Sequence, residues 1–355
     1  MSFKDGLAAM NLQMPKRIPR TEYSITHHWE VLRAVTGLDV NETSTAEEKR
    51  KAALAFQKAW NFDFIWATQI GRSDLGGCYT EMGHAEYESD GSDFVPIGQR
   101  PFKNTDDIFA FDPFERLPNP SVASLVQRFN QAYANGNAEY PEAVHTVGTY
   151  ITQISGYIDL FGWEDMLMAL GEDQHAFGEM TFRYADWMMK FYEALAQCDA
   201  PFVLIHDDIV WSQGPFISPR WYRNYVFPHY ERYLAPLKQA GKKVLFCSDG
   251  GFDAFVDDLA AVGYDGFIFE PFTSLEMIAK KYGQNHVIIG NADTRILLSG
   301  TKQEIRAEVE RCMTIGRDCP GFFMAVGNHI PANTPLENVL YYNQVYEELS
   351  VSLRK

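Results

Sequence analysis

Beyond about residue 200 the chain repeats one pattern: a short apolar run, a polar cluster, then a segment with helical spacing. Five such runs stand out, FVLIHDD (202–208), VLFCSDG (244–250), GFIFEP (266–271), HVIIGNAD (286–293) and GFFMAVGNH (321–329). Helical segments separate them, Pro219 to Ala240, Phe252 to Val262, Leu275 to Tyr282 and Lys302 to Ile315. A strand that is apolar on both faces is covered on both faces, so alternation with helices predicts a parallel sheet. Five units here, with two or three more upstream, fit a closed α/β (β/α)8 TIM barrel better than an open doubly wound sheet. No glycine-rich phosphate loop follows the first strand, so dinucleotide binding is not expected.

Upstream the pattern is looser. Residues 1–60 read as an amino-terminal extension with helices over Ile25 to Thr36 and Ser44 to Trp60, the second opening on a capping box at Ser44-Thr45-Ala46-Glu47. FDFIWAT (62–68) and HTVGTYIT (145–152) have strand character. Residues 70–115, rich in Gly, Asp and aromatics, predict a β-hairpin or long-loop insertion. Trp163 to Gln197 predicts one long helix with a core-facing stripe of Met and aromatic residues. With no linker or repeat, residues 1–355 are expected to form a single barrel domain.

Composition narrows the function. The chain has 31 basic and 47 acidic residues, a net charge of −16, and its longest basic runs are the pairs Lys242-Lys243 and Lys280-Lys281. Binding to nucleic acid or an anionic membrane needs basic patches, so neither is expected. No apolar run reaches the roughly 18 residues of a membrane span, and the first residues lack a signal-peptide core. The five cysteines, Cys78, Cys198, Cys247, Cys312 and Cys319, are scattered and odd in number. That argues against a disulfide framework and for a reducing cytoplasm. Cys198 and Cys312 fall in helical patterns and read as small packing residues.

The chemistry gathers where the apolar runs end: His206-Asp207-Asp208, Cys247-Ser248-Asp249, Glu270, Asn291-Ala292-Asp293 and Asn328-His329. In a parallel barrel all strand carboxyl ends lie on one rim, so these clusters converge. Some members have plainer roles open to them. Asp293 can cap the next helix, and Asp207 or Asp208 can shape a turn. Cys247, Asp249, Glu270 and His329 carry donor atoms suited to zinc, and Cys247 and Asp249, two apart on a strand, share a face. The alternative is a packed Cys247 thiol and a Glu270 paired with an arginine such as Arg295.

ISPRWYRNYVFPHYERYLAPLKQAGKKVLFCSDGG (217–251), GNADTRILLSGTKQEIRAEV (290–309) and GNHIPANTPLENV (327–339) resemble the uroporphyrinogen decarboxylase superfamily. The resemblance covers about residues 120–350. It implies the barrel and one of two activities: a metal-free tetrapyrrole decarboxylase, or a zinc methyltransferase that works with a corrinoid (cobalamin) protein. In the coenzyme M branch a strand reads His-x-Cys-Gly and a later Gly-Cys follows. Here Cys247 and Asp249 take the first two positions and Asn328-His329 the later one. The donor set is harder and richer in oxygen, which suits a Lewis acid acting on oxygen. The decarboxylase signature Arg-Gln-Ala-Gly-Arg-Tyr is absent, and Arg17 and Arg20 are the nearest basic residues.

The resemblance therefore implies methyl transfer from a methyl ether, aromatic by expectation, to cobalt(I) of a corrinoid protein partner, with zinc polarising the ether oxygen. His206, Asp208 and Asp249 are the expected catalytic groups, His206 or Asp208 supplying a proton to the leaving oxygen. Trp66, Tyr79, His84, Tyr150, Trp211, Phe216 and Phe272 are expected to line the donor site, with Tyr79, Glu81 and His84 in the insertion. The alternative is a metal-free decarboxylase of a carboxylated substrate, in which Asp208 or Asp249 would stabilise a cation. Oligomeric state stays open, a homodimer included.

Overall fold

The computed structural model describes residues 3–22, 24–80 and 101–354, and the backbone of 86–87 and 93–94. Six parallel strands run side by side in the spatial order Phe322–Phe323, Val287–Ile289, Gly266–Phe269, Lys243–Ser248, Phe202–His206, Val147–Thr149. A second parallel pair, Phe64–Ile65 with Val144–His145, continues from the last of these, because Gln69 and Ile70 donate to the Gly148 carbonyl at 2.9 and 3.3 Å. The sheet then closes through residues 19–21. Met324 N donates to Pro19 O at 2.8 Å, Thr21 N to Met324 O at 3.1 Å, and Asp63 N to Arg20 O at 2.9 Å. The barrel expected from the sequence is present.

Strand alternation sorts the apolar side chains into two layers. Phe64, Val144, Leu204, Leu245, Cys247, Ile268, Val287, Ile289 and Phe323 point inward as one cluster. Val203, Ile205, Val244, Phe246, Phe267, Ile288 and Met324 point outward into the larger cluster shared with the helices. The helix Phe3–Met10 closes the amino-terminal end of the barrel, with Ala9 and Met10 in the inner cluster and Met10 O accepting from Lys243 Nζ at 2.7 Å. Among the described residues no helix is long and apolar enough to cross a membrane.

Several boundaries differ from the sequence expectation. The capping box lies one residue on, between Thr45 and Glu48, because Thr45 rather than Ser44 takes the extended backbone of a cap. The helix expected from Ile25 begins at Trp29, with His28 as its cap. The long helix expected over Trp163 to Gln197 is two, Ile154–Glu172, kinked at Gly162, and Gln174–Gln197, which Asp173 caps through His175 N and Ala176 N at 2.9 Å. Pro219 to Ala240 also divides, into Pro219–Tyr225 and Phe227–Gln239, where Pro228 cannot donate to a continuing helix. Within 70–115 the expected hairpin is present as the antiparallel pairs Glu86 with Phe94 and Tyr87 with Asp93.

The closing segment carries a buried ion pair. Arg20, fully buried, donates from Nη2 to Glu22 Oε1 at 2.6 Å, and its guanidinium lies 4.4 Å from the ring centres of both Trp60 and Tyr346. Glu22 also accepts from Tyr342 Oη at 2.9 Å and from Val326 N at 3.0 Å. Removing one partner of such a pair strands the other charge. Arg20→Ala is expected to lower unfolding free energy by about 3–5 kcal/mol, read by urea denaturation. The double variant Arg20→Met, Glu22→Leu should recover most of that loss.

Candidate active site

His206 ends its strand facing the barrel interior, paired in register with Cys247 on the neighbouring strand. It is fully buried, and its ring lies flat on Tyr150, centroids 3.9 Å apart and planes 4° apart. Nδ1 is 3.2 Å from the Tyr150 carbonyl and Nε2 is 3.3 Å from Asp208 Oδ1. Burial disfavours the imidazolium, but the Asp208 carboxylate, with help from Asp249 and the Tyr150 carbonyl, outweighs it and raises the pKa to about 9. The ring beneath favours the cation as well. His206 is therefore charged at neutral pH.

From Asp208 a line of carboxylates runs along the rim. Asp208 Oδ1 accepts from Asp249 N at 2.9 Å. Asn328 Nδ2 lies 3.3 Å from Asp249 Oδ2 and 2.8 Å from Glu270 Oε1, so one amide bridges both acids. Glu270 Oε2 accepts from Gly250 N at 2.6 Å. Glu270 thus has a donor on each oxygen, while Asp249 has one long bond and an acid on either side. Burial first, then the charges of Asp208 and Glu270, hold the Asp249 carboxyl well above the usual range, against the pull of His206 and Asn328. Asp249 is thereby pushed toward its protonated form. The Tyr150 hydroxyl, raised by burial and by Asp208, Asp249 and Cys247, stays neutral.

The remaining rim residues separate into site and scaffold. Asp207 points outward, away from the mouth. Asp293 caps the helix Thr294–Ser299 and pairs with Arg295 at 2.7 Å, so the close ion pair of Arg295 is with Asp293, and Glu270 acts on it only at longer range. Asn291 donates to the carbonyls of Glu270 and Thr273 at 3.3 and 3.0 Å and pegs the loop that carries Glu270. Asn328, placed by the sequence in a rim cluster with His329 but not among the catalytic or metal-binding candidates, joins the two acids.

The four residues expected to share a zinc ion fall at different depths. Cys247 is one strand period below Asp249, about 6.6 Å down the strand, within the inner apolar layer. His329 lies beyond Asn328, whose Oδ1 accepts from His329 N at 2.7 Å and lies 3.1 Å from Nδ1. Among the described residues no three His, Cys, Asp or Glu side chains are grouped to hold a metal ion. Asp249 and Glu270 of the quartet meet at one amide, that of Asn328.

Of the expected donor-site aromatics, Tyr150 is in the site and Trp66 packs against the inner cluster. Trp211 is half-exposed, in mutual contact with Trp163 and Phe216 at 6.0 and 5.5 Å, and its carbonyl accepts from Gly251 N at 3.0 Å, two residues past Asp249. Phe272 is exposed beneath the Arg295 guanidinium, 4.9 Å away. Tyr79 is partly exposed with Arg72 over its ring at 5.6 Å, and Arg72 pairs with Asp159 at 3.0 Å. Glu81 and His84 lie outside the described residues.

A model of the family described as uroporphyrinogen decarboxylase (URO-D) matches residues 104–349. The chain belongs to the uroporphyrinogen decarboxylase family. It is 26% identical over 259 residues to the uroporphyrinogen decarboxylase of Carboxydothermus hydrogenoformans, 72% of this chain and 71% of that one. To the uroporphyrinogen decarboxylase of Thermus thermophilus it is 30% identical over 163 residues, 46% of each chain. Among solved structures, a methyltransferase from Methanosarcina mazei shares the fold, with a TM-score of 0.66 at 17% identity over 98% of this chain and 99% of that one. The family's barrel thus carries here a rim with an acid line and a charged histidine.

The raised His206 makes stability depend on pH in a defined direction. The folded state binds this proton more tightly than the unfolded chain, so the contribution is complete below about pH 6.5 and lost as pH rises through about 9. Its size is on the order of 3 kcal/mol. Calorimetry from pH 6 to 10 should show this decline in Tm, and Asp208→Asn should flatten it.

Proposed function

We propose that this chain is a methyltransferase that takes a methyl group from a methyl ether, aromatic in the first instance, and delivers it to a corrinoid protein. The observation that carries the reading is the buried Asp249 set between Asp208 and Glu270, where burial and the two neighbouring charges hold its carboxyl well above the usual range. Breaking a methyl ether leaves an alkoxide or phenoxide, which needs a proton at the moment it forms. The carbon–oxygen bond breaks, its electron pair stays on oxygen, and the oxygen takes the Asp249 proton. A docked corrinoid protein supplies cobalt(I) as methyl acceptor. Asp208, held as the partner of His206, keeps the proton on Asp249 until the leaving oxygen competes for it. The full-length likeness to a methyltransferase fold supports the same reading.

Zinc would supply a Lewis acid at that oxygen. The donors expected for it are not assembled among the described residues, so the acid is assigned to Asp249 and no step is routed through a metal.

The curated relatives favour a decarboxylase reading, which asks for cations to meet substrate carboxylates. The two arginines nearest that role are committed elsewhere: Arg17 bonds Asp63 at 2.6 Å and Arg20 is buried on Glu22. The mouth they would serve is lined by acids.

Methyl transfer from an aryl methyl ether to a reduced corrinoid protein, followed by the cobalt absorbance, tests the reading. Asp249→Asn should lose about 100- to 10,000-fold in rate, and less for ethers whose phenols are more acidic. Full activity in Asp249→Asn, or uroporphyrinogen decarboxylation by the wild-type chain with no methyl transfer, would end it. Metal analysis of the purified wild-type chain addresses zinc separately.

A further inference from the structure

Asp207 lies between the two members of the His206–Asp208 pair in sequence, yet its side chain faces the opposite way. It is fully buried behind the strand, where its Oδ1 accepts from Ser155 N at 2.7 Å and its Oδ2 from Gln153 N at 2.9 Å. The Tyr230 hydroxyl also donates to it. Gln153 and Ser155 are the cap and second residue of the helix Ile154–Glu172, whose first backbone N–H groups have no partners within the helix. The carboxylate satisfies two of them and lies where the helix dipole favours negative charge.

The same helix end reaches back to the mouth. Ser155 Oγ accepts from Asp208 N at 2.8 Å. Four residues before the helix, Tyr150 supplies both the ring stacked on His206 and the carbonyl at its Nδ1. Residues 150–155 therefore hold the pair from two sides, and the carboxylate between them ties the helix end of that segment to the strand, beside the bonds of Tyr150 N to Ile70 O and of Tyr184 Oη to Ile151 O.

We infer that Asp207 is the positioning residue of the proposed acid machinery: through the N-terminus of Ile154–Glu172 it fixes Ser155 on Asp208 and Tyr150 on His206. Ser155 is the transmitting group, since its backbone N–H answers Asp207 and its hydroxyl answers Asp208. The role rests on the methyl-transfer reading only for its consequence in catalysis; the geometry of the clamp is independent of it. Burial, only partly offset by the Tyr230 hydroxyl and the two backbone donors, raises Asp207 to about 6, and it still ionises at neutral pH, as the clamp requires.

Asp207→Asn and Ser155→Ala test this in the full chain. Asparagine turns an NH2 toward one of the two backbone donors, so one clamp contact becomes a repulsion; Ser155→Ala removes only the link to Asp208. The primary readout is His206 itself, titrated by NMR on histidine-labelled protein, with Tyr150, Asp208, Asp249 and Cys247 among the described groups near it. Both variants are expected to lower its midpoint from about 9 by about one pH unit or more. Methyl transfer should lose rate in kcat with little change in KM. If Asp207→Asn does not fold, Ser155→Ala decides alone. An unmoved His206 midpoint in folded Ser155→Ala, with only Tm lowered, would overturn the inference and reduce Asp207 to a helix cap. If the midpoint falls in both variants while wild-type protein transfers no methyl group, the clamp stands and the methyl-transfer reading falls.

Discussion

The architecture depends on one closure. Between Met324 and Asp63 the sheet is continuous only through residues 19–21, and the guanidinium inside that segment is fully buried. Parallel strands in an open sheet would send their carboxyl ends along an edge. Bent into a ring, they bring the ends of strands far apart in sequence around one mouth. The closure thereby turns a period-two pattern into a chemical site: on each strand the residues one period above the inner apolar layer face one another.

What faces inward there is mostly negative. Asp208, Asp249 and Glu270 are linked through a backbone N–H and one amide, and burial with the neighbouring charges pushes Asp249 toward its protonated form. The structure resolves the conflict by unequal hydrogen bonding. Glu270 has short donors on both oxygens, Asp208 has an imidazolium, and Asp249 has the least support. The proton's place follows from that inequality. Within a crowded row of acids the middle one is biased toward holding a proton, without any unusual residue type.

Much of this was legible in the sequence. The apolar runs gave the strands because burial on both faces leaves a run without alternation, and the polar residues at their ends gave the rim. The alternatives left open were settled by orientation. Asp208 faces inward and Asp207 outward, as alternation requires once the register of His206 is known. Asp293 took the cap and Arg295 with it. The zinc quartet was drawn from donor chemistry, the shared strand face of Cys247 and Asp249 and the family resemblance, none of which gives depth; Cys247 lies a strand period below Asp249. Asn328 escaped because an amide has no titration and no metal preference to mark it. Helix breaks at Asp173 and Val226 were blurred because the apolar stripes on either side stay in phase.

The ion pair at the closure also orders events in time. Arg20 meets Asn343 across 323 residues and Glu22 meets Tyr342 across 320. On a translating ribosome the earliest stave therefore waits for aromatic walls that are made hundreds of residues later, and the ring stays open while they emerge. A guanidinium and a carboxylate keep that waiting strand hydrated, and only their late desolvation commits the chain. The feature that seals the mature barrel also delays its sealing, and it leaves the nascent protein a soluble edge where a purely apolar one would invite association.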